Sequence, residues 1–188
     1  MAALSPFGRL HSPPGDNGAG SARIDRMPSP IHCVIDVARA ADAADIAAMS
    51  RRLIETGLEP SWPADRVLRH MRHSESVVLT AKSDGELMGF AIMQFADESA
   101  HLNLFAVDSA HRRRGVGKRL LSWLEETAIT AGTFVIQLEL RATNAEARKF
   151  YEAKGYREIA RIPGYYQRVE DAIRMERDLR VNRDVKRG

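Results

Sequence analysis

The sequence predicts an α/β (α+β) fold with a mixed sheet that carries helices on its faces. The chain has 188 residues, 44% of them apolar, which is enough for one ordinary domain and its core. Apolar segments with the period of a strand alternate with segments of helical period, and turn-forming residues separate them. The resulting order β-α-α-β-β-β-α-β-α-β-β contains no internal repeat and is typical of this fold class.

We expect this domain to span residues 31–180, between a disordered leader at 1–30 and a basic tail at 181–188. Residues 12–21 are almost all turn formers and offer little apolar surface to bury. The leader has no apolar core of about 7–15 residues, as a secretory signal would have. We assign it no function, and Met27 is an alternative start.

The first half of the domain alternates in period as follows. Three segments have the character of strands and two have helical spacing: strands Ile31–Ala38, Ser76–Ala81 and Glu86–Phe95, and helices Ala40–Thr56 and Pro63–Arg72. Gly57 is expected to end the first helix, and Pro63 is tolerated in the first turn of the second. The Asp84-Gly85 dipeptide between two apolar runs predicts a β-hairpin.

The second half continues the alternation to the end of the domain. Its predicted elements are strand His101–Val107, helix Val116 to about Ala131, strand Phe134–Arg141, a helix from Asn144 to Lys154, and strands Tyr156–Ile162 and Ala172–Leu179 around a loop at Pro163–Tyr166. Gly132 is expected to stop the long helix. Asn144 is a good N-cap, and Gly155 occupies the position of a left-handed residue after a helix.

Composition excludes several classes of protein. The net charge is only +3, and we find no concentrated basic stripe, so nucleic-acid binding is not expected. No apolar stretch approaches the roughly 20 residues that span a bilayer. The single cysteine, Cys33, excludes an internal disulfide framework and a cysteine-based zinc site. We therefore expect a cytoplasmic protein, a monomer or a homodimer, without a membrane partner.

The most informative motif is the basic loop that opens the long helix. A helix N-terminus offers unpaired N–H groups to a phosphate, and Gly115 and Gly117 let a phosphate approach them. Arg112 and Arg119 stand where a Walker A loop needs glycine and a hydroxyl residue, and Leu120 breaks the dinucleotide fingerprint. The segment fits another pattern, R/Q-x-x-G-x-G/A.

This pattern resembles the acyl-CoA pyrophosphate loop of the GNAT superfamily of N-acetyltransferases. Three blocks follow in the family's order and spacing: Phe105–Val107, Leu138–Asn144 and Ala147–Tyr156. Within the superfamily the chain is most similar to the ribosomal-protein alanine N-acetyltransferase branch, although Ser109 replaces a usual proline and the N-terminal region matches poorly. The resemblance implies a mixed, mostly antiparallel central sheet of six to seven strands flanked by about four helices.

The resemblance also implies acetyl-CoA as co-substrate and no metal. The residues it assigns to the cofactor are Phe105, Ala106, Val107, Arg112, Arg113, Arg114, Gly115, Val116, Gly117, Lys118, Asn144 and Tyr151. Main-chain groups of Phe105 and Val107 would pair with the pantetheine arm. The Val107 N–H is the expected donor to the oxygen that becomes negative during transfer.

Two residues are predicted to carry the proton transfers. Strand alternation places Glu139 on the face opposite Leu138 and Leu140, and the resemblance makes it the general base, directly or through water. Tyr151 follows Asn144 by two helical turns and shares its face. In the family such a tyrosine protonates the departing thiolate, and the asparagine hydrogen-bonds the cofactor. His101 is an alternative base.

The acceptor is predicted to be a primary amine, with a protein or peptide N-terminal α-amine favoured. A small-molecule amine is the alternative within the class, which Glu55, Glu59 and Asp65 would suit. A non-catalytic acyl-CoA-binding sensor is the alternative outside it. His70 and His73 lack further metal ligands, so we interpret them as a polar helix face. Cys33 is interpreted as a buried structural thiol, and Trp62 as a core residue, with a place in the acceptor pocket as the alternative.

Overall fold

The computed structural model describes residues 33–181, which form a seven-stranded sheet with four α-helices. The elements are β1 Val34–Val37, α1 Ala43–Leu53, α2 Ala64–Arg72, β2 Ser76–Ser83, β3 Glu86–Phe95, β4 Ser99–Val107, α3 Val116–Thr130, β5 Val135–Arg141, α4 Ala145–Glu152, β6 Arg157–Tyr166 and β7 Glu170–Asp178. The strand order is β1-β2-β3-β4-β5-β7-β6, and only β4 and β5 run parallel. The predicted fold class is confirmed.

The helices cover the two faces of the sheet and define two cores. On one face, α3 and α4 bury an apolar cluster that includes Leu120, Leu124 and Leu138. On the other face, α1 and α2 pack on a smaller cluster that includes Ile46 and Phe90. The strand β5 sends Ile136, Leu138 and Leu140 into the larger core, so its alternate side chains face the α1–α2 side.

Helix boundaries differ from expectation at the first helix. Residues Ala40–Asp42 form a 3₁₀ turn, and α1 ends at Leu53 instead of Thr56. The Ser50 carbonyl accepts from the N–H groups of both Ile54 and Glu55, which closes the last turn early. The end of α4 follows the predicted pattern, because Gly155 has φ +85° and the Tyr156 N–H donates to the Tyr151 carbonyl.

The predicted loop at Pro163–Tyr166 is wrong, because these residues belong to β6. The chain turns later, at Gln167 and Arg168, which both have positive φ (55° and 63°). Two successive positive φ values suit a tight hairpin turn, but neither residue is the glycine or asparagine that marks such a turn in a sequence. Pro163 and Gly164 fall within an irregularity of the β6–β7 pairing instead.

A bulge in β4 precedes the place where the sheet opens. Met93 pairs with Leu102 and Ile92 pairs with Leu104, so Asn103 is the extra residue. As a result, Leu102 packs in the α3 core while Leu104 packs in the α1–α2 core. The parallel pairing of β4 with β5 ends at Leu102 and Leu138, and beyond it each strand pairs only with its outer neighbour.

Some predictions fall outside the described residues. The leader at 1–30, the first two residues of the predicted first strand and the tail from 182 onward lie there. Among the described helices, none has the length and apolar character needed to cross a bilayer.

Candidate active site

The edge of β4 that faces β5 is open from the bulge to the end of the strand. The Asp108 N–H donates to the Met88 carbonyl at 2.8 Å, which fixes the side on which alternate residues bond to β3. By the antiparallel pattern, the main-chain groups of Phe105 and Val107 point away from β3 and toward the gap. The gap between β4 and β5 therefore offers an unpaired strand edge to a ligand.

The first turn of α3 lies against the end of this edge. Gly115 has φ +84°, and the first helical hydrogen bond runs from the Arg119 N–H to its carbonyl at 3.0 Å. The N–H groups of Val116, Gly117 and Lys118 precede that bond, so the helix gives them no acceptor. A Cβ on Gly117 would lie 3.6 Å from the Phe105 ring. These amides fit a diphosphate next to the β4 edge.

The side chains of the basic loop differ in their roles. Arg112 donates to the Val107 carbonyl at 3.4 Å and to Glu146 at 3.2 Å, so it ties the loop to β4 and α4. Arg113, Arg114 and Lys118 are exposed.

Val116 is buried, so its main chain is the part of that residue available to a ligand. The positive charge at the start of α3 therefore comes from exposed side chains, whereas the groups available for specific contacts with a ligand belong to the backbone.

At α4, the predicted pair differs in burial: Asn144 is exposed at the N-terminus of the helix, whereas Tyr151 is buried. The Asn144 Oδ1 accepts from the Ala147 N–H at 3.0 Å, which confirms the N-cap and leaves its amide NH₂ for a ligand. Tyr151 is only 6% exposed, and its ring lies 6.1 Å from that of Phe105 and 5.4 Å from that of Tyr156. Burial, with a smaller effect of Tyr166, raises the pKa of Tyr151.

Glu139 lies on the α1–α2 face, as strand alternation predicts, in a network of polar side chains. Arg174 on β7 places Nε 2.6 Å from Oε1, and His101 on β4 places Nε2 2.8 Å from Oε2. The Tyr165 hydroxyl also donates to Oε2, at 3.4 Å. Burial raises the pKa of Glu139, but the contacts with His101 and Arg174 outweigh it and hold the pKa below its ordinary value.

Loops from distant parts of the chain meet on this same face. Arg141 donates to the carbonyls of Ile54, at 2.9 Å, and Thr56. The Gln167 side chain makes two hydrogen bonds of 2.9 Å to the main chain of Glu59. The α1–α2 loop is thus joined both to β5 and to the β6–β7 turn.

Glu55 is not exposed to bind a cationic amine substrate, the role that it would have for a small-molecule acceptor. It is 3% exposed and accepts hydrogen bonds from Ser50, from the main chain and hydroxyl of Ser61, and from the Trp62 N–H. A carboxylate used in this way holds the loop together and is withdrawn from solvent. Glu59 and Asp65 are exposed.

The predictions that Trp62 and Cys33 are buried are both confirmed. Trp62 is buried, and its ring lies 5.0 Å from that of His70 on α2. Cys33 is buried in the larger core. Across residues 33–181, no three potential metal ligands among His, Cys, Asp and Glu lie together.

Sequence reasoning missed Arg174, Arg141 and Gln167. Arg174 is directly opposite Glu139 in the antiparallel β5–β7 pair, and only the pairing register reveals this. Arg141 belongs to the alternation that predicted Glu139, so its position on the polar face was available as a signal. Gln167 carried none, because its role depends on where the hairpin turns.

The open strand edge, the helix N-terminus at its end and the polar face beside it define an acyltransferase of the GNAT type. A model of the "Acetyltransferase (GNAT) family" matches residues 46–156, which is more than half of the chain. The chain therefore belongs to this family, and it is an acyltransferase that uses acetyl-CoA.

Individual relatives narrow the likeness. The chain is 39% identical over 100 residues to the ribosomal protein bS18-alanine N-acetyltransferase of Salmonella typhimurium, a match covering 52% of this chain and 68% of that protein. The crystal structure of the ribosomal-protein-S18-alanine N-acetyltransferase from Escherichia coli superposes with a TM-score of 0.69 at 27% identity, over 78% of this chain and 94% of that one. The fold is shared with yncA, a putative acetyltransferase from Salmonella typhimurium solved with acetyl-CoA (TM-score 0.66, 21% identity, 78% and 94% coverage).

Proposed function

We propose that this acyltransferase moves the acetyl group of acetyl-CoA to the N-terminal α-amine of a protein or peptide by direct attack of the amine. The observation that carries the proposal is the gap between β4 and β5. It is flanked by a free strand edge, by the amides at the start of α3, and by Glu139 on the opposite face. A thioester and an amine can therefore enter from different sides of the sheet.

The main chain is proposed to hold the acetyl donor. The diphosphate lies at the amides of Val116, Gly117 and Lys118, with Arg113 and Arg114 supplying charge, and the pantetheine arm pairs with Phe105–Val107. Because the diphosphate end adjoins Val107, the arm runs back toward the bulge.

The N–H that stabilises the developing oxyanion then belongs to Phe105 rather than to Val107. The Phe105 N–H points into the gap and its ring lies beside Tyr151.

The proton transfers are proposed to use Glu139 and Tyr151. Glu139 drives removal of the amine proton, directly or through a group between it and the amine, and Tyr151 donates a proton to the departing sulfur. A tyrosine hydroxyl is protonated at neutral pH and burial raises the pKa of Tyr151 further, so the group carries a proton that it can donate. The NH₂ group of Asn144 is free for a hydrogen bond to the donor.

The α-amine preference rests on the named relatives and on the acceptor face. Two matched proteins carry the name of an alanine N-acetyltransferase acting on a ribosomal protein. We take the α1–α2 side of the sheet as the acceptor face. There the α1–α2 loop and the β6–β7 turn are hydrogen-bonded to each other through Gln167, and Tyr165 and Tyr166 precede that turn. Such a restricted entrance suits a narrow, flexible chain end.

The acceptor is tested by release of coenzyme A thiol against three sets of amines. The sets are peptides with free N-termini, the same peptides with blocked N-termini and one internal lysine, and small amines such as polyamines. We expect turnover with the first set alone, with the acetyl group on the α-nitrogen by mass spectrometry. Turnover confined to small amines would overturn the α-amine proposal and show a small-molecule acceptor. Cofactor binding without turnover of any amine would favour a non-catalytic acyl-CoA-binding sensor.

The phosphate loop is tested by thermal unfolding with fragments of the donor. Coenzyme A and dephospho-coenzyme A both keep the diphosphate, and each should stabilise the fold by about 2.7 kcal/mol at 100 times its Kd. Pantetheine lacks the diphosphate and should give little shift at the same concentration. Equal stabilisation by pantetheine would remove the α3 amides from the binding site.

A further inference from the structure

The carboxylate of Glu139 is closed off from an incoming amine. Its side chain is 4% exposed, and both oxygens are engaged, Oε1 by Arg174 and Oε2 by His101 and Tyr165. A general base must come within hydrogen-bonding reach of the proton it removes, directly or through one water. The low exposure of the Glu139 side chain, together with a partner on each oxygen, therefore restricts direct contact between the amine and this carboxylate.

His101, Arg174 and Tyr165 are all accessible in this network, but of the three only a neutral imidazole can take up a proton near neutral pH. The His101 side chain is 38% exposed, and its Nε2 lies 2.8 Å from a Glu139 oxygen. A carboxylate only accepts hydrogen bonds, so Nε2 carries a hydrogen, and in the neutral ring Nδ1 then keeps its lone pair. Within residues 33–181, the Nδ1 atom of His101 makes no hydrogen bond, which leaves it available to a ligand.

We propose that His101 takes the proton from the acceptor amine and that Glu139 acts through it, by fixing the tautomer and stabilising the charged ring. This inference rests on the proposed function and specifies the group left open there. His101 is then the catalytic residue of this step, and Glu139 and Arg174 are positioning residues.

The place of His101 in the sheet agrees with this role. It precedes Leu102, the last residue at which β4 pairs with β5, so it stands where the gap begins. It shares the α1–α2 face with Glu139, whereas the Tyr151 ring packs against Phe105 from the α4 side. Acid and base thus lie on opposite sides of the sheet at the same end of the gap.

The charged and titratable groups around His101 come from several elements. Those in contact through Glu139 are Arg174 of β7 and Tyr165 of β6. Its strand partners are uncharged, Gln94 on β3 and Gln137 on β5. Beyond them on the same face lie Glu176, which accepts from Gln137, and His70 of α2, which contacts Ser76.

The step balances as follows. The protonated amine gives one proton to Nδ1 of His101, and its freed lone pair forms the C–N bond to the acetyl carbon. The C–S bond breaks, and the sulfur takes the proton of the Tyr151 hydroxyl. The second nitrogen proton restores Tyr151, and His101 releases its proton to solvent. The products are the acetamide, the free thiol of coenzyme A and one proton.

The test compares His101→Gln with the wild type over a range of pH, using the acceptor that the wild type acetylates. His101→Gln should bind coenzyme A normally and lose about 10²- to 10⁴-fold in kcat. The pH profiles of kcat/KM should differ between the two proteins, because the variant should follow only the deprotonation of the amine itself. The matched control is His73→Gln, at the exposed end of α2, which should match the wild type.

A second variant separates chemistry from folding. His101→Ala should regain activity when imidazole is added, in proportion to the neutral imidazole present, and the His73→Gln control should not respond. A wild-type pH profile in His101→Gln together with loss of activity in Glu139→Gln would overturn the inference and leave the proposed function intact. An equal loss at every pH without rescue would assign His101 a structural role and also overturn it. Failure of the wild type to acetylate any amine would instead overturn the proposed function.

Discussion

The two sides of the gap between β4 and β5 are built by different means. On the α3 side, the groups proposed to face the ligand are main-chain amides from one continuous stretch, the end of β4 and the start of α3. On the α1–α2 side they are polar and charged side chains from four strands, β4 to β7, such as Glu139 and Arg174. A backbone cradle recognises what every donor shares, whereas a side-chain network recognises an acceptor that differs between enzymes. Single substitutions should therefore affect the acceptor side selectively.

Among the substitutions that compare the two sides, the largest effect is expected at their boundary, with Tyr151→Phe. The ring fills the same buried space, so folding and coenzyme A affinity should persist while turnover falls on the order of 10² or more. Steady-state kinetics and calorimetric binding of coenzyme A give both values. Tyr156→Phe is a useful neighbour for comparison, since its hydroxyl contacts Glu125 at 3.3 Å and has no proposed part in transfer. Unchanged turnover in Tyr151→Phe would end its assignment as the acid.

A moderate effect is expected from Arg141→Gln. This change removes the donors to the Ile54 and Thr56 carbonyls and should loosen the acceptor entrance. Each hydrogen bond from a charged group contributes about 1.5–3 kcal/mol to stability, so the loop should become less ordered and the acceptor KM should rise. The Kd for coenzyme A should stay constant.

Arg161→Gln is the matched control for this experiment, because Arg161 pairs with Asp171 and its side chain is 63% exposed. A weakened coenzyme A affinity in Arg141→Gln would show that the two sides are coupled and would contradict the comparison.

The smallest effect is expected away from the gap, with Asp42→Asn. Asp42 accepts from the Arg39 N–H at 2.8 Å and pairs with Lys82 at 2.5 Å. Burial raises its pKa, but these contacts with Lys82 and Arg39 together lower it below the ordinary value. A lowered pKa in the folded state gives stability that is present at neutral pH and is lost as pH falls through that pKa.

Asp42→Asn should thus reduce the free energy of unfolding by about 1 kcal/mol at pH 7 and by less in acid. Melting curves at both pH values measure the difference. Kinetic constants for donor and acceptor should both match the wild type. A penalty that is as large in acid as at pH 7 would show that the carboxylate charge is not its source.

The sequence predicted the α3 side of the gap better than the other side. Glycines at 115 and 117 and the cap at Asn144 act within a few residues of their own position, so local spacing is enough to locate them. Alternation along β5 was enough to find the face of Glu139. Its partners were not predictable, because Arg174 reaches it through the β5–β7 register and Tyr165 belongs to a strand that had been interpreted as a loop.

The extra residue at Asn103 has a consequence for how this enzyme can vary. If Asn103 instead paired regularly with β3, the alternation of β4 would turn Phe105 and Val107 toward the smaller core and Leu104 toward α3. The same side chains would then meet the wrong neighbours on both faces. A substitution that let Asn103 pair regularly would therefore exchange the two faces of β4 from that point to its end.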